Sequence, residues 1–87
     1  MLSLHRIIIN YMPTVFELFG IRYFFYAGDH EPMHIHLENA DGRAKVYIDP
    51  EVKVDYNQGI KPKDLKKALV MIENYKEEII KSWEEHH

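Results

Sequence analysis

Three of the chain's six histidines fall within seven residues, in the run Asp29-His30-Glu31-Pro32-Met33-His34-Ile35-His36. Imidazole is a common metal ligand and also the side chain whose proton moves near neutral pH, so the cluster raises two chemistries at once. Pro32 disfavours a helix here, so His30 and His34 do not read as a helical i, i+4 ligand pair. On a strand, His34 and His36 leave the same face with Cα atoms roughly 6.5 Å apart, close enough to direct two imidazoles at one ion. Asp29 or His30 can bend in from the preceding loop as a third ligand. Zn²⁺ held by three such ligands keeps an open position for activating water. The same residues fit metal-free acid/base or anion-binding use, and they also fit a plain solvated sheet face on which His pairs with Tyr across strands. His-x-His alone is a weak motif. His86 and His87 carry less weight still, because an expression tag leaves the same C-terminal pair.

The face that carries His34 and His36 is expected to add Arg43, Lys45, Tyr47 and Lys53, alternating cations and an aromatic ring with imidazoles. Such a surface can grip phosphate and stack a base. A ribonuclease without metal needs a general base, a general acid and a cation for the developing phosphorane charge, and His34, His36 and Lys45 could supply all three, with Tyr47 in support. Against that stands a solvated face on which Glu38 and Asp55 neutralise Lys45; no nucleophile, base and orienting group are forced together by spacing. A second cluster, Lys61, Lys63, Lys66 and Lys67, is either a soluble helix surface or a contact for RNA or a partner. The chain has no phosphate-binding Gly loop, nucleotide fingerprint or hydrolase serine elbow.

The elements that must position these residues are legible in the polarity pattern, which changes near residue 60. Before it, short runs rich in Val, Ile, Tyr and Phe are separated by Gly, Pro and Asp, as antiparallel strands are. A first hairpin joins 14–18 to 21–26 across Phe19-Gly20, with Glu17 opposite Arg22 and Phe16 opposite Tyr23; Phe16, Leu18, Ile21, Tyr23 and Phe25 share its apolar face. A second pairs 34–39 with 44–49 around Asp41-Gly42, read as a two-residue turn with positive φ at both central positions. In that register Ile35 faces Ile48, Leu37 faces Val46, His34 faces Asp49, His36 faces Tyr47 and Glu38 faces Lys45. A third strand over 52–56 sets Val52 against Ile48 and Val54 against Val46. Pro62 opens a helix and Asp64 suits its first turn. Leu65, Leu69, Ile72, Tyr75, Ile79 and Trp83 then make one stripe to lie on the sheet. Asn74 followed by Glu77 resembles a capping box, so a break near Asn74 is an alternative. The expected fold class is α+β: an antiparallel β-meander of about five strands with a C-terminal helix, whole or broken, on one face.

At 87 residues with an apolar fraction of 46%, the chain has material for one hydrophobic core and reads as one globular unit, without repeats or linkers. It has no cysteine, which excludes disulfides, thiolate zinc sites and cysteine nucleophiles and suits a cytoplasmic location. The apolar triplet Ile7 to Ile9 is too short for a signal-peptide core or a membrane span, so neither export nor a membrane anchor is expected. A net charge of −3 argues against broad electrostatic binding to nucleic acid, though not against a local basic face. An exposed edge at the first or last strand could pair two copies of the chain.

Met12-Pro13-Thr14, Phe24-Phe25-Tyr26, Asp29-His30, Pro32, His34-Ile35-His36, Asn57-Gln58-Gly59 and the closing Trp83 together carry a family pattern. The chain resembles the small prokaryotic family four-one-six-zero of the domain-of-unknown-function series, over about residues 12–86, with Asp-His-x-Pro-x-His-x-His as its most specific part. The family has no established activity. The resemblance implies a gene neighbourhood of toxin–antitoxin type, and with it a protein partner encoded nearby. It also sets the expected domain at 12–87, with residues 1–11 as an N-terminal extension. Lys61 stands where the family often has a helix-capping serine, which predicts a poorly capped helix start.

Two functions follow as expectations. One is an interaction module of a toxin–antitoxin-type pair that contacts a partner protein and could also contact RNA. The other is a small ribonuclease-type toxin that uses His34 and His36, with His30, Asp29, Lys45 and Tyr47 in support.

Overall fold

A computed structural model describes residues 14–87. Residues 1–11, expected to be an extension, and Met12-Pro13 of the family pattern lie outside the described residues. Five strands, β1 (Thr14–Leu18), β2 (Ile21–Phe24), β3 (His34–Glu38), β4 (Arg43–Tyr47) and β5 (Lys53–Gln58), form one antiparallel sheet in the order β1-β2-β3-β4-β5. Two helices follow, α1 (Pro62–Asn74) and α2 (Lys76–His86). The fold is α+β, a meander with its helices at the C-terminal end.

The first hairpin forms in the expected register, with Phe16 opposite Tyr23 and Glu17 opposite Arg22. Its turn places Phe19 at φ 55° and Gly20 at φ 77°, the positive pair that matches the right-handed twist of the flanking strands. Glycine takes this conformation without cost, whereas a phenylalanine does not. β2 ends at Phe24, two residues short of the expected 21–26. Tyr23 and Phe25 are nonetheless buried with Ile21 on the helix side.

The second hairpin departs from the expected register. Its pairs are His34 with Tyr47, Ile35 with Val46, His36 with Lys45, Leu37 with Ala44 and Glu38 with Arg43. The turn residues are therefore Ala40 and Asp41 rather than Asp41 and Gly42. The cause is Asn39, whose Oδ1 accepts the N–H groups of Asp41 and Gly42 at 2.9 and 3.0 Å, while its own N–H donates to the Gly42 carbonyl at 3.0 Å. An Asn side chain that closes the turn removes the need for positive φ at Gly42. Because the partner strand has moved by two residues, every side chain keeps its expected face.

β4 and β5 pair Val46 with Val54 as expected, but Lys45 meets Tyr56, which leaves Asp55 as the extra residue of a bulge. After β5, both ends of the Asn57 amide bind the backbone of Ile60, at 2.8 and 3.0 Å, and turn the chain toward α1. Lys61 provides no side-chain cap for α1. The helical stripe is broken, as the alternative near Asn74 expects: Tyr75, at φ −109° and ψ 22°, separates the helices, although no side chain caps the start of α2. Ala68, Ile72, Ile79 and Trp83 are buried against Ile35, Leu37, Val46 and Ile48 of the sheet. Each isoleucine, leucine or valine among them withdrawn from water contributes roughly 1.5–3 kcal/mol. Tyr75, expected in the stripe, is 41% exposed, with its ring 5.3 Å from that of Phe16 on the sheet.

Candidate functional site

The sheet's second face, opposite Ile35 and Leu37, carries His34, His36 and Glu38 of β3 beside Arg43, Lys45 and Tyr47 of β4. The grouping matches the sequence expectation. Its exposure does not: His34 and His36 are 5% and 7% exposed, so they are not part of a solvated surface. The residues between β2 and β3, together with aromatic rings, cover them. Tyr26 packs its ring edge-on at 4.5 Å from that of His36, and Phe24, the cross-strand partner of His36, lies at 5.5 Å on another side. The Trp83 ring of α2 lies 5.3 Å from that of His34.

Asp29 is aimed by its own turn. Its N–H donates to the Tyr26 carbonyl at 3.1 Å, and its Oδ2 accepts the Tyr26 N–H at 2.9 Å. The carboxylate then faces both imidazoles, with Oδ1 3.1 Å from His34 Nε2 and Oδ2 3.1 Å from His36 Nε2. His34 Nδ1 donates to the Pro32 carbonyl at 2.8 Å. That carbonyl can only accept, so Nδ1 must carry a proton. Nε2 can then face a carboxylate favourably only with a proton of its own or with a cation shared between them.

Burial works to raise the Asp29 pKa, yet the Tyr26 N–H, the hydrogen bond from His34 and the charge of both imidazoles outweigh it and hold the carboxyl below its ordinary range. Burial lowers the His36 pKa, and His34 and Lys45 add to that effect against the opposing pull of Asp29. The two rings and the carboxylate thus form one electrostatic unit.

Asp29, His34 and His36 each offer a donor atom, and the three lie within 4.8 Å of one another. A tetrahedral Zn²⁺ with bonds of about 2.0–2.1 Å needs its donors roughly 3.3 Å apart, so small adjustments would admit one. The Nδ1–H to carbonyl bond of His34 is the outer support that orients a metal-ligating imidazole. His30 is exposed and lies outside this group. Lys45 is opposite His36, but its ammonium is paired with Asp55 at 3.5 Å and sits 5.3 Å above the Tyr47 ring. Glu38 neutralises arginines instead of Lys45: Arg22 at 3.7 Å and Arg43 at 3.5 Å. Tyr47, opposite His34, lines a pocket of about 270 Å³ with Pro32, Asp49, Pro50, Glu51 and Lys53.

Three contributors belong to the family pattern in the sequence, which does not assign them to the site: Tyr26, Phe24 and Trp83. The spacing of Tyr26 and Asp29 around Ala27-Gly28 signals the turn. The approach of Trp83 spans nearly fifty residues of chain and has no local signature. His87 also stacks on Trp83 at 4.0 Å, and its Nε2 lies 3.3 Å from the Tyr26 carbonyl, which ties the C-terminus to the covering loop.

The fold and site define a small meander domain whose outer face is closed by a carboxylate and two imidazoles. Residues 20–84 match the family model described as Domain of unknown function (DUF4160), and the chain belongs to that family. No curated protein and no solved structure matches the chain. Among the described residues no helix is long and apolar enough to cross a membrane.

Proposed function

We propose that the protein is a non-catalytic interaction module, working in the cytoplasm as one half of a toxin–antitoxin-type pair, in which Asp29, His34 and His36 anchor a loop rather than run a reaction. The observation that carries this reading is the inward commitment of the imidazoles. Both Nε2 atoms face Asp29, and His34 Nδ1 faces Pro32. A general base must reach the proton that it removes. The rest of that sheet face also suits a nuclease poorly, because Lys45 is paired with Asp55 and the adjacent pocket presents Asp49 and Glu51 against the single cation Lys53. The protein partner comes from the family resemblance. Tag-free protein should leave mixed-sequence RNA intact and should copurify with a co-expressed neighbouring gene product. RNA cleavage that disappears in folded His36→Ala protein would overturn this reading in favour of the ribonuclease.

A second role for the same cluster is favoured by its converging donors and by the fixed tautomer of His34. In this role the cluster binds a divalent cation such as Zn²⁺ through three ligands, and the burial of His34 and His36 limits the access of water to the fourth position. One equivalent of Zn²⁺ should raise the melting temperature of tag-free protein, and His36→Ala should abolish the rise. An unchanged melting temperature at saturating Zn²⁺ would exclude it.

A further inference from the structure

On the side of the molecule formed by the β1–β2 turn and α1, Phe19, Val70 and Met71 line a groove of about 480 Å³ together with Lys63, Lys66 and Lys67. Phe19 is 75% exposed and Val70 49% exposed. A large ring at the tip of a turn, in a conformation that disfavours any side chain, serves neither the turn nor the core. Aromatic side chains are enriched at interfaces relative to the rest of a protein surface. The three lysines are exposed, and among the described residues none of them is in an ion pair. Their aliphatic stems extend the apolar lining, while their ammonium groups ring it with positive charge in a chain whose net charge is −3.

We propose that this groove docks an acidic amphipathic segment of a partner protein, with apolar side chains against Phe19, Val70 and Met71 and carboxylates on Lys63, Lys66 and Lys67. The proposal rests on the interaction-module reading and gives it a surface. Charge complementarity selects the occupant. A second copy of this chain could offer the exposed Glu77, Glu78, Glu84 and Glu85 of α2, but the apolar residues Ile79 and Trp83 of that helix are already buried in its own core. RNA would find cations and one ring for stacking, but the groove floor is aliphatic and the chain as a whole repels it.

The test uses the whole chain and three probes: a synthetic amphipathic peptide of Leu and Glu, its twin with Lys in place of Glu, and a single-stranded RNA oligonucleotide. Binding is followed by amide chemical shifts. The Leu/Glu peptide should move the amides of 19–20 and 63–71, and Lys66→Glu with Lys67→Glu should weaken it by about tenfold or more. Phe19→Gly should weaken it as well without loss of stability, because glycine suits the backbone at φ 55°. Shifts confined to other surfaces, no binding, or equal or tighter binding of the Lys peptide or the RNA would overturn the proposal. So would shifts at these amides that grow with protein concentration alone, which would mean self-association. A co-expressed neighbour separates this proposal from the one beneath it. If it copurifies equally with wild type and with a variant that combines Phe19→Gly, Lys66→Glu and Lys67→Glu, the groove is wrong and the module reading stands. If it copurifies with neither, the module reading loses its support, and the peptide result alone decides the groove.

Discussion

His34 Nε2 and Asp29 Oδ1 lie 3.1 Å apart across a loop, both largely withdrawn from water, and the other nitrogen of the same ring is held by the Pro32 carbonyl. The carboxylate therefore does more than accept a hydrogen bond: it compensates two imidazoles that have few alternatives. Asp29→Asn keeps the shape and leaves an oxygen for the Tyr26 N–H, but removes the charge. It should cost about 2 kcal/mol, the scale of a buried hydrogen bond to a charged group, as read from the urea midpoint of metal-free protein. A midpoint unchanged from wild type would mean that the loop is held by its aromatic contacts alone.

Acid should weaken the fold in two stages when metal is removed by a chelator. Burial, reinforced by His34 and Lys45, holds the His36 pKa below its ordinary value. The unfolded chain then takes up that proton first, so stability begins to fall as the pH drops below about 6.5. The Asp29 pKa is also lowered, despite its burial, by Tyr26 and the imidazoles. Its contribution is present above the ordinary carboxylate value of about 3.9 and is lost as the pH falls through its own lower value. Unfolding free energy measured across this range should lose the first decline in His36→Gln and the second in Asp29→Asn. A flat wild-type profile between about pH 7 and 5 would contradict a buried neutral ring.

Much of this arrangement was legible in short-range pattern. Phe19-Gly20 fixed the first hairpin's pairing, and the alternation of His34, Ile35, His36 and Leu37 assigned each to its face. What failed was whatever depends on which side chain closes a turn or covers a site. Asp41-Gly42 reads as a turn of positive φ, but the Asn39 amide closes a different one. The stripe to Trp83 reads either as one helix or as two broken near Asn74, and the break is present at Tyr75 without the Asn74 cap that suggested it. Asp29, His34 and His36 could be named as neighbours, but their burial depends on Trp83 and on how the β2–β3 residues lie over the sheet. Sequence spacing carries no information about that packing.

Gly42 is required for space rather than for backbone conformation. A Cβ built there would lie 2.0 Å from the Gln58 carbonyl oxygen and 2.8 Å from Gly59 Cα, both backbone atoms. No rotamer can relieve such a contact, so the end of β5 must move away from the β3–β4 turn. Gly42→Ala should therefore destabilise by roughly 2 kcal/mol or more, despite the lower entropy that alanine confers on the unfolded chain. Exchange protection of the Asn57 and Ile60 amides should fall first, because the Asn57 bridge sits beside the displaced strand end. A neutral or stabilising Gly42→Ala would mean that β5 leaves more room than this geometry allows.

Tyr23 sets the limit of stability in alkali. Its side chain is 1% exposed, and burial pushes its pKa up to about 12. The unfolded chain ionises this phenol near pH 10, so its contribution is intact below that value and is lost as the pH rises from there through about 12. The loss should be on the order of 2–3 kcal/mol, one buried phenolate's worth. Tyr23→Phe keeps the ring that packs 4.5 Å from Phe16 and removes the ionisable oxygen. Unfolding free energies at pH 9 and 11 should therefore differ less in the variant than in wild type, by about half of that loss, because pH 11 lies midway between the two values. Equal alkaline loss in both proteins would shift the effect to the exposed tyrosines and lysines.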